Sequence, residues 1–409
     1  MLRLALFTLN CFLSLICEIL DLKRSNKKGI LIFAMSLAII STYIPYHAGD
    51  SVRYAFKYYE LNCFPLKEAY TYYLPKSDFV FYNFLFLFSR LKLPYNFFLI
   101  FLNFLILFII IRILKKMNKL NISNIACLYL PSTILLLVRF PLATYISIYG
   151  LIELKGFKRY LLLFLCLYIH KFAIVLIILY LFVEKFYKIL KNIPIKIICI
   201  LTIIISNLII RSIDLFYNLC PNNYYMLKFY NYKIRFLDNY SEIFLGKLEI
   251  VNVFSFFMVV ISFVYLLILQ NKKIKKDKEF YFLMIFGTFI LSFFRISLIT
   301  FRFSWIFNIF FILFILKYSK NKSLFFKLHC FLRNFIFLLN LIGILYYATF
   351  FYIKNYNSFP PIFYPTIVQF IGFNNKYNEK IKKIAVFYSK KEELGESLMA
   401  DLEKYYNES

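Results

Sequence analysis

The stretch "FYFLMIFGTFILSFFRISLITFRFSWIFNIFFILFIL" fills residues 280–316, between the basic clusters "NKKIKKDKE" (271–279) and "KYSKNKSLFFK" (317–327). Its 37 residues carry two charges, Arg295 and Arg302, and no acid. A single helix of that length would run about 55 Å, nearly twice the ~30 Å hydrocarbon core of a bilayer. Clusters of Lys and Arg mark the cytoplasmic side of a membrane. With both ends held there, the stretch crosses twice and turns near residue 300. Both arginines then flank an outer hairpin tip, where a charge costs less than the roughly 2.5–3.5 kcal/mol of a central one.

The same grammar covers the rest of the chain. It has 409 residues and is 62% hydrophobic, well above the roughly 45–50% of soluble domains. Six basic clusters, at 21–28, 112–122, 155–159, 184–196, 271–279 and 317–327, hold 24 of the 49 Lys and Arg. The net charge of +28 is therefore a topology signal facing a lipid bilayer, and no nucleic-acid partner is expected. Placing all six clusters inside gives an all-α polytopic membrane protein of about 12 transmembrane helices (11–13), with spans at 2–20, 29–47, 95–111, 123–138, 141–154, 159–170, 172–186, 195–213, 250–270, 280–299, 302–316 and 328–352. Residues 1–352 form this transmembrane domain, with outer loops at 48–94 and 214–249, and 353–409 follow outside as a segment ending in a polar tail. Residues 78–92 are expected as an interfacial or re-entrant helix, because a thirteenth span there would put a basic loop outside. Residues 159–186 are expected as a hairpin of two short helices. Five of the eight cysteines sit in apolar runs as small hydrophobes, and only Cys63 and Cys220 fall in outer loops, where a disulfide could join them. No cysteine pair has metal-ligand spacing.

Ionisable residues collect at the outer ends of the expected spans. "LLLVRFPLATY" places Arg139 between spans four and five, with Pro141 suited to open a helix beside it. "CLYIHKFAIV" places His170 and Lys171 at the 159–186 hairpin tip, "YIPYHAGDSVRYAFKYYE" places His47, Asp50 and Arg53 after span two, and "LPKSDFVFYN" places Asp78 before the interfacial helix. Each alone suits an ordinary loop. Two arginines at one turn, Arg295 and Arg302, with no local acid call for an anion, and guanidinium binds phosphate oxygens in bidentate fashion.

The order of these segments resembles the Wzy-type polysaccharide polymerases, in particular their EpsG-like branch. That family opens a span with Arg-Gln-x-x-Ala and, after a basic turn and a second span, reaches His-x-Ser/Thr-Ala. Here Arg139 and Ala143 match the first pattern with Phe140 in place of Gln, and His170 and Ala173 match the second with Phe172 in place of Ser/Thr. Gly49-Asp50 approximates a third motif. The resemblance covers about residues 29–372 in layout. It implies an inverting, GT-C-like glycosyltransferase without cofactor or essential metal at the periplasmic face of a bacterial inner membrane. Its substrates would be undecaprenyl-diphosphate-linked glycans, and its partners a flippase and a chain-length regulator.

On that expectation Arg139, Arg295 and Arg302 bind the diphosphate and stabilise the charge that develops on it. His170 is the first choice for general base, since imidazole titrates near neutral pH, and Asp50 the second. His47, Arg53, Asp78 and Tyr54 are candidate acceptor or sugar contacts; Tyr58 and Tyr59 are further stacking candidates. The rival readings are a transporter or flippase for the same lipid-linked glycan, and a membrane acyltransferase. Scarce glycine, long outer loops and ionisable residues near one face favour the polymerase over the transporter.

Overall fold

Asn10 interrupts the first apolar run. Its side-chain oxygen accepts the N–H groups of Phe12 (2.8 Å) and Leu13 (3.1 Å), an N-cap that starts a new helix. The expected span 2–20 is thus two helices, α1 (Leu2–Leu9) and α2 (Cys11–Leu20). These come from a computed structural model that describes residues 2–20, 27–43, 50–73, 78–134, 139–219, 249–268, 277–293 and 297–318. His47, Cys220, Arg295, most of the 214–249 loop, the span expected at 328–352 and the segment 353–409 lie outside these residues. Within the region expected as one transmembrane domain, the described residues fall into two compact units that divide between Ile174 and Val175.

The first unit continues with α3 (Lys27–Ile40), α4 (Asp50–Cys63), the single turn α5 (Leu66–Glu68), α6 (Phe79–Arg90), α7 (Tyr95–Lys116), α8 (Ile122–Ile134), α9 (Arg139–Glu153) and α10 (Gly156–Ile169). The outer loop expected over 48–94 is largely helical. In α4 the buried residues Tyr54, Ala55, Tyr58 and Leu61 recur at helical spacing and turn one face inward. Tyr58 donates its hydroxyl to the carbonyls of Phe88 (2.9 Å) and Leu93 (2.6 Å), which ties α4 to the end of α6. Burial raises the hydroxyl pKa of both Tyr58 and Tyr59, so both phenols stay neutral.

Two contacts fix the polarity of this unit. Lys116, at the end of α7, pairs with Glu153, at the end of α9, at 2.5 Å. Phe140, at the start of α9, packs its ring 5.3 Å from that of His170, just past the end of α10. The basic clusters 112–122 and 155–159 therefore share one end of the unit, and Arg139 and His170 share the other, a 15-residue helix or about 22 Å away.

The second unit holds α11 (Ala173–Leu190, which enters from the first), α12 (Ile195–Leu219), α13 (Glu249–Ile268), α14 (Lys278–Ser292) and α15 (Ser297–Lys317). The stretch expected over 159–186 is two helices, α10 and α11, with His170 just past the end of α10. Helix α14 ends at Ser292 and α15 begins at Ser297, so residue 300, where the turn is expected, is already helical; the Thr300 hydroxyl donates to the Phe293 carbonyl at 2.6 Å. Arg302 is consequently the sixth residue of α15, more than a turn from its start. Trp305, the chain's one indole, follows it at 3% exposure. At the other end, Lys317 pairs with Asp277 (2.6 Å) and Glu279 (2.5 Å), Tyr318 donates to Asp277, and Lys278 pairs with Glu184 at 2.7 Å. Clusters 184–196, 271–279 and 317–327 thus meet at one end of this unit.

The described residues are all helical or connecting segments, with no strand. Among them one helix, Tyr95–Lys116, is long and apolar enough to cross a membrane; Lys28–Ile40, Phe79–Arg90, Ile195–Ile209 and Phe256–Ile268 are shorter apolar stretches. The all-α class expected from sequence is present, while twelve helices of spanning length are not seen among the described residues.

Two outcomes follow from the second unit. A Cβ on Gly287 would lie 2.7 Å from the Phe263 ring and 3.0 Å from the Phe307 ring. Gly287→Ala is expected to lower the thermal midpoint, followed by circular dichroism in detergent, through overpacking worth on the order of 1–3 kcal/mol. An unchanged midpoint would mean both rings yield. Burial acts to raise Asp277's carboxyl pKa, but bonds from Lys317, Tyr318 and the Glu279 N–H outweigh it and hold the value below the usual range. Burial and then Asp277's charge push Glu279 up. A depressed carboxyl stabilises the fold above its unfolded pKa and loses that contribution as pH falls through the folded one. Asp277→Asn, which keeps a capping side chain, should therefore lower the midpoint at pH 7 and match wild type in acid. Glu279→Gln should cost less at pH 7, because the raised carboxyl disfavours its own charged form there. Equal costs at every pH would refute both assignments.

Candidate functional site

Asp78 stands at the N-cap position of α6 with a left-handed backbone, φ 54° and ψ 45°. That conformation costs a non-glycine residue roughly 1–2 kcal/mol, although Asp is among those that visit it. Its carbonyl accepts the Tyr82 N–H at 3.2 Å and so begins the helix. Its carboxylate makes no capping bond to α6, forgoing a contribution of about 1 kcal/mol. It reaches instead to Arg139, whose Nη1 donates to Oδ2 at 2.6 Å.

Arg139 is the first residue of α9. Its guanidinium carbon lies 5.3 Å from the Tyr54 ring centre, 5.8 Å from Phe81 and 5.7 Å from Tyr82. The negative ring faces attract the cation, and more strongly where water is excluded. Tyr54 comes from α4, and Phe81 and Tyr82 from the first turn of α6. The three rings also pack on one another, with Tyr54 4.9 Å from Phe81 and 6.4 Å from Tyr82. The two charged side chains keep some solvent contact, 14% for Arg139 and 11% for Asp78. Tyr54, expected as a sugar contact, is 2% exposed and serves as a wall of the guanidinium instead.

His170 lies beyond the end of α10, buried between two rings: Phe140 at 5.3 Å and Phe172 at 5.7 Å. Those are the two positions at which the chain departs from the motifs it resembles. Apolar rings where those motifs carry polar groups make the surroundings of the imidazole drier. Nδ1 accepts the Phe172 N–H at 3.2 Å. A neutral ring held this way carries its proton on Nε2.

Asp50 opens α4 one turn before Tyr54, and Arg53 adjoins Tyr54 in the same helix. Arg302 belongs to the second unit, in α15, and His47 and Arg295 lie outside the described residues. The structure therefore brings together Asp78, Arg139 and Tyr54, and sets Phe140 between Arg139 and His170. Sequence reasoning missed Phe81 and Tyr82 as partners of Arg139. Their signal was their place three and four residues after Asp78, one helical turn on, facing the same way. Cys63 is exposed and unbridged. Among the described residues no group of three or more His, Cys, Asp or Glu could hold a metal.

No family model, curated protein or solved structure matches this chain.

A double-mutant cycle tests the central pair. Arg139→Ala and Asp78→Ala should each lower thermal stability, with an interaction energy of about 1 kcal/mol or more, as expected for contacting residues in one network. Strict additivity would show that the pair is not coupled.

Proposed function

We propose that this chain is a Wzy-type polysaccharide polymerase: a polytopic, GT-C-like glycosyltransferase that joins undecaprenyl-diphosphate-linked repeat units at the periplasmic face of a bacterial inner membrane. One observation carries the reading. Four separated segments, in α4, α6, α9 and the α10–α11 turn, converge on Arg139 and His170 at the end of the first unit opposite its basic clusters.

The membrane part is supported by apolar faces left exposed. In α12, Ile197, Ile200, Leu201, Ile204 and Leu208 recur at helical spacing and are exposed, as are Phe157, Leu161 and Phe164 in α10. Such continuous apolar surface suits lipid better than water. The clustering of Lys and Arg at one end within each unit is the pattern that a cytoplasmic face requires.

In the reaction, the bond between the donor's anomeric carbon and its diphosphate oxygen breaks. The electron pair leaves with undecaprenyl diphosphate, and the acceptor hydroxyl oxygen forms the new bond. Arg139 holds the diphosphate and offsets its growing charge. His170 donates from Nε2 to a substrate oxygen. Asp50 takes the acceptor proton. A flippase supplies the substrate and a chain-length regulator acts on the product.

The test is deletion of the gene in its source bacterium and complementation with Arg139→Ala. At normal protein levels the variant should yield single repeat units on the outer side of the membrane and no polymer. Polymer of ordinary length would overturn the reading, and units trapped on the cytoplasmic side would make the protein a flippase.

A further inference from the structure

Asp78 has two competing uses for one carboxylate. It stands where an Asp ordinarily caps the helix that follows, yet its side chain makes no bond to α6 and contacts Arg139, 61 residues away in sequence. Its backbone is left-handed in this arrangement, φ 54°. An extended backbone at Asp78 would instead aim the carboxylate at the N–H groups of α6. The residue therefore has a second, well-satisfied home within reach of a backbone rotation. Arg139 differs: it is fixed by three rings, Tyr54, Phe81 and Tyr82, that do not depend on Asp78's charge. Removing the carboxylate leaves a guanidinium already oriented, whose Nη1 donor can take an oxygen of another anion.

We propose that Asp78 is a resident stand-in for substrate phosphate: it occupies Arg139 in the resting protein, an incoming diphosphate displaces it, and it then caps α6. The inference rests on the reading that Arg139 receives a lipid diphosphate. It adds how the site is kept quiet without substrate and how product is expelled, since the returning carboxylate competes with the departing diphosphate for the same donors. Arg139 remains the residue that touches substrate; Asp78 acts through it.

Such a resident competitor weakens apparent affinity by the fraction of time Arg139 is open, and a minor open state typically holds up to about a tenth of the population. Asp78→Asn tests this well. Asn caps helices and tolerates the left-handed backbone as Asp does, so the substitution removes the charge and little else. The full chain in lipid nanodiscs is titrated with farnesyl diphosphate and, separately, with inorganic pyrophosphate. Affinity is read from direct binding and from the ligand-dependent rise in unfolding midpoint. Asp78→Asn is expected to bind at least about tenfold more tightly than wild type, and Arg139→Ala to lose binding whether or not Asp78 is also replaced. Tightening for farnesyl diphosphate alone marks a lipid-borne headgroup; tightening for both probes marks the diphosphate itself; either supports the exchange. A merely structural Asp78 predicts the reverse, weaker binding in Asp78→Asn at a lowered midpoint, and that result overturns the proposal. Binding that needs Arg139 but is equal in Asp78→Asn and wild type overturns the stand-in role and leaves the polymerase reading intact. Absence of binding in wild type and Asp78→Asn alike overturns both.

Discussion

Most of the ion pairs described between helices lie at or near helix ends. The helix flanks are apolar over most of their length, and an ionised group set among them would lose its hydration with no return. Lys116 with Glu153, Lys317 with Asp277 and Glu279, and Lys278 with Glu184 all obey that constraint. So does Arg139 with Asp78. The pairs at the basic ends bind one helix terminus to another and hold the bundle in register. The pair at the opposite end of the first unit is built differently: its cation lies over three rings, Tyr54 of α4 and Phe81 and Tyr82 of α6.

That enclosure shows how an arginine can be both fixed and usable. Ring faces hold the guanidinium by quadrupole attraction and leave its in-plane N–H groups for an anion. His170 is treated in a parallel way, lying between Phe140 and Phe172 with Nδ1 accepting a backbone N–H. In both cases the neighbours set orientation while the polar edge faces elsewhere.

The helical class was legible because apolar runs and basic clusters carry it directly, and the clusters also foretold which helix ends meet within each unit. The division of 159–186 into two helices at His170 was readable from basic residues at both ends of the stretch. What sequence could not show is instructive. Asn10 splits an apolar run through a side-chain cap that hydropathy ignores. Within the outer loop 48–94 only 78–92 is expected to be helical, because the charges of 50–63 mask the burial of Tyr54, Tyr58 and Leu61, whose spacing is helical. The pairing of Arg139 with Asp78 joins residues far apart in the chain, and no local pattern announces it. The tautomer of His170 depends on one backbone N–H that only a folded turn brings into place.

The burial of Trp305 within α15 has a practical bearing on how this protein can be observed. It is the chain's sole indole, and it belongs to the second of the two units. Ultraviolet emission excited at long wavelength therefore reports local order around one half of the molecule. Melting confined to the Arg139 half leaves that signal without an indole of its own to change, whereas a shift in emission that tracked ligands of Arg139 would reveal mechanical communication from one half to the other.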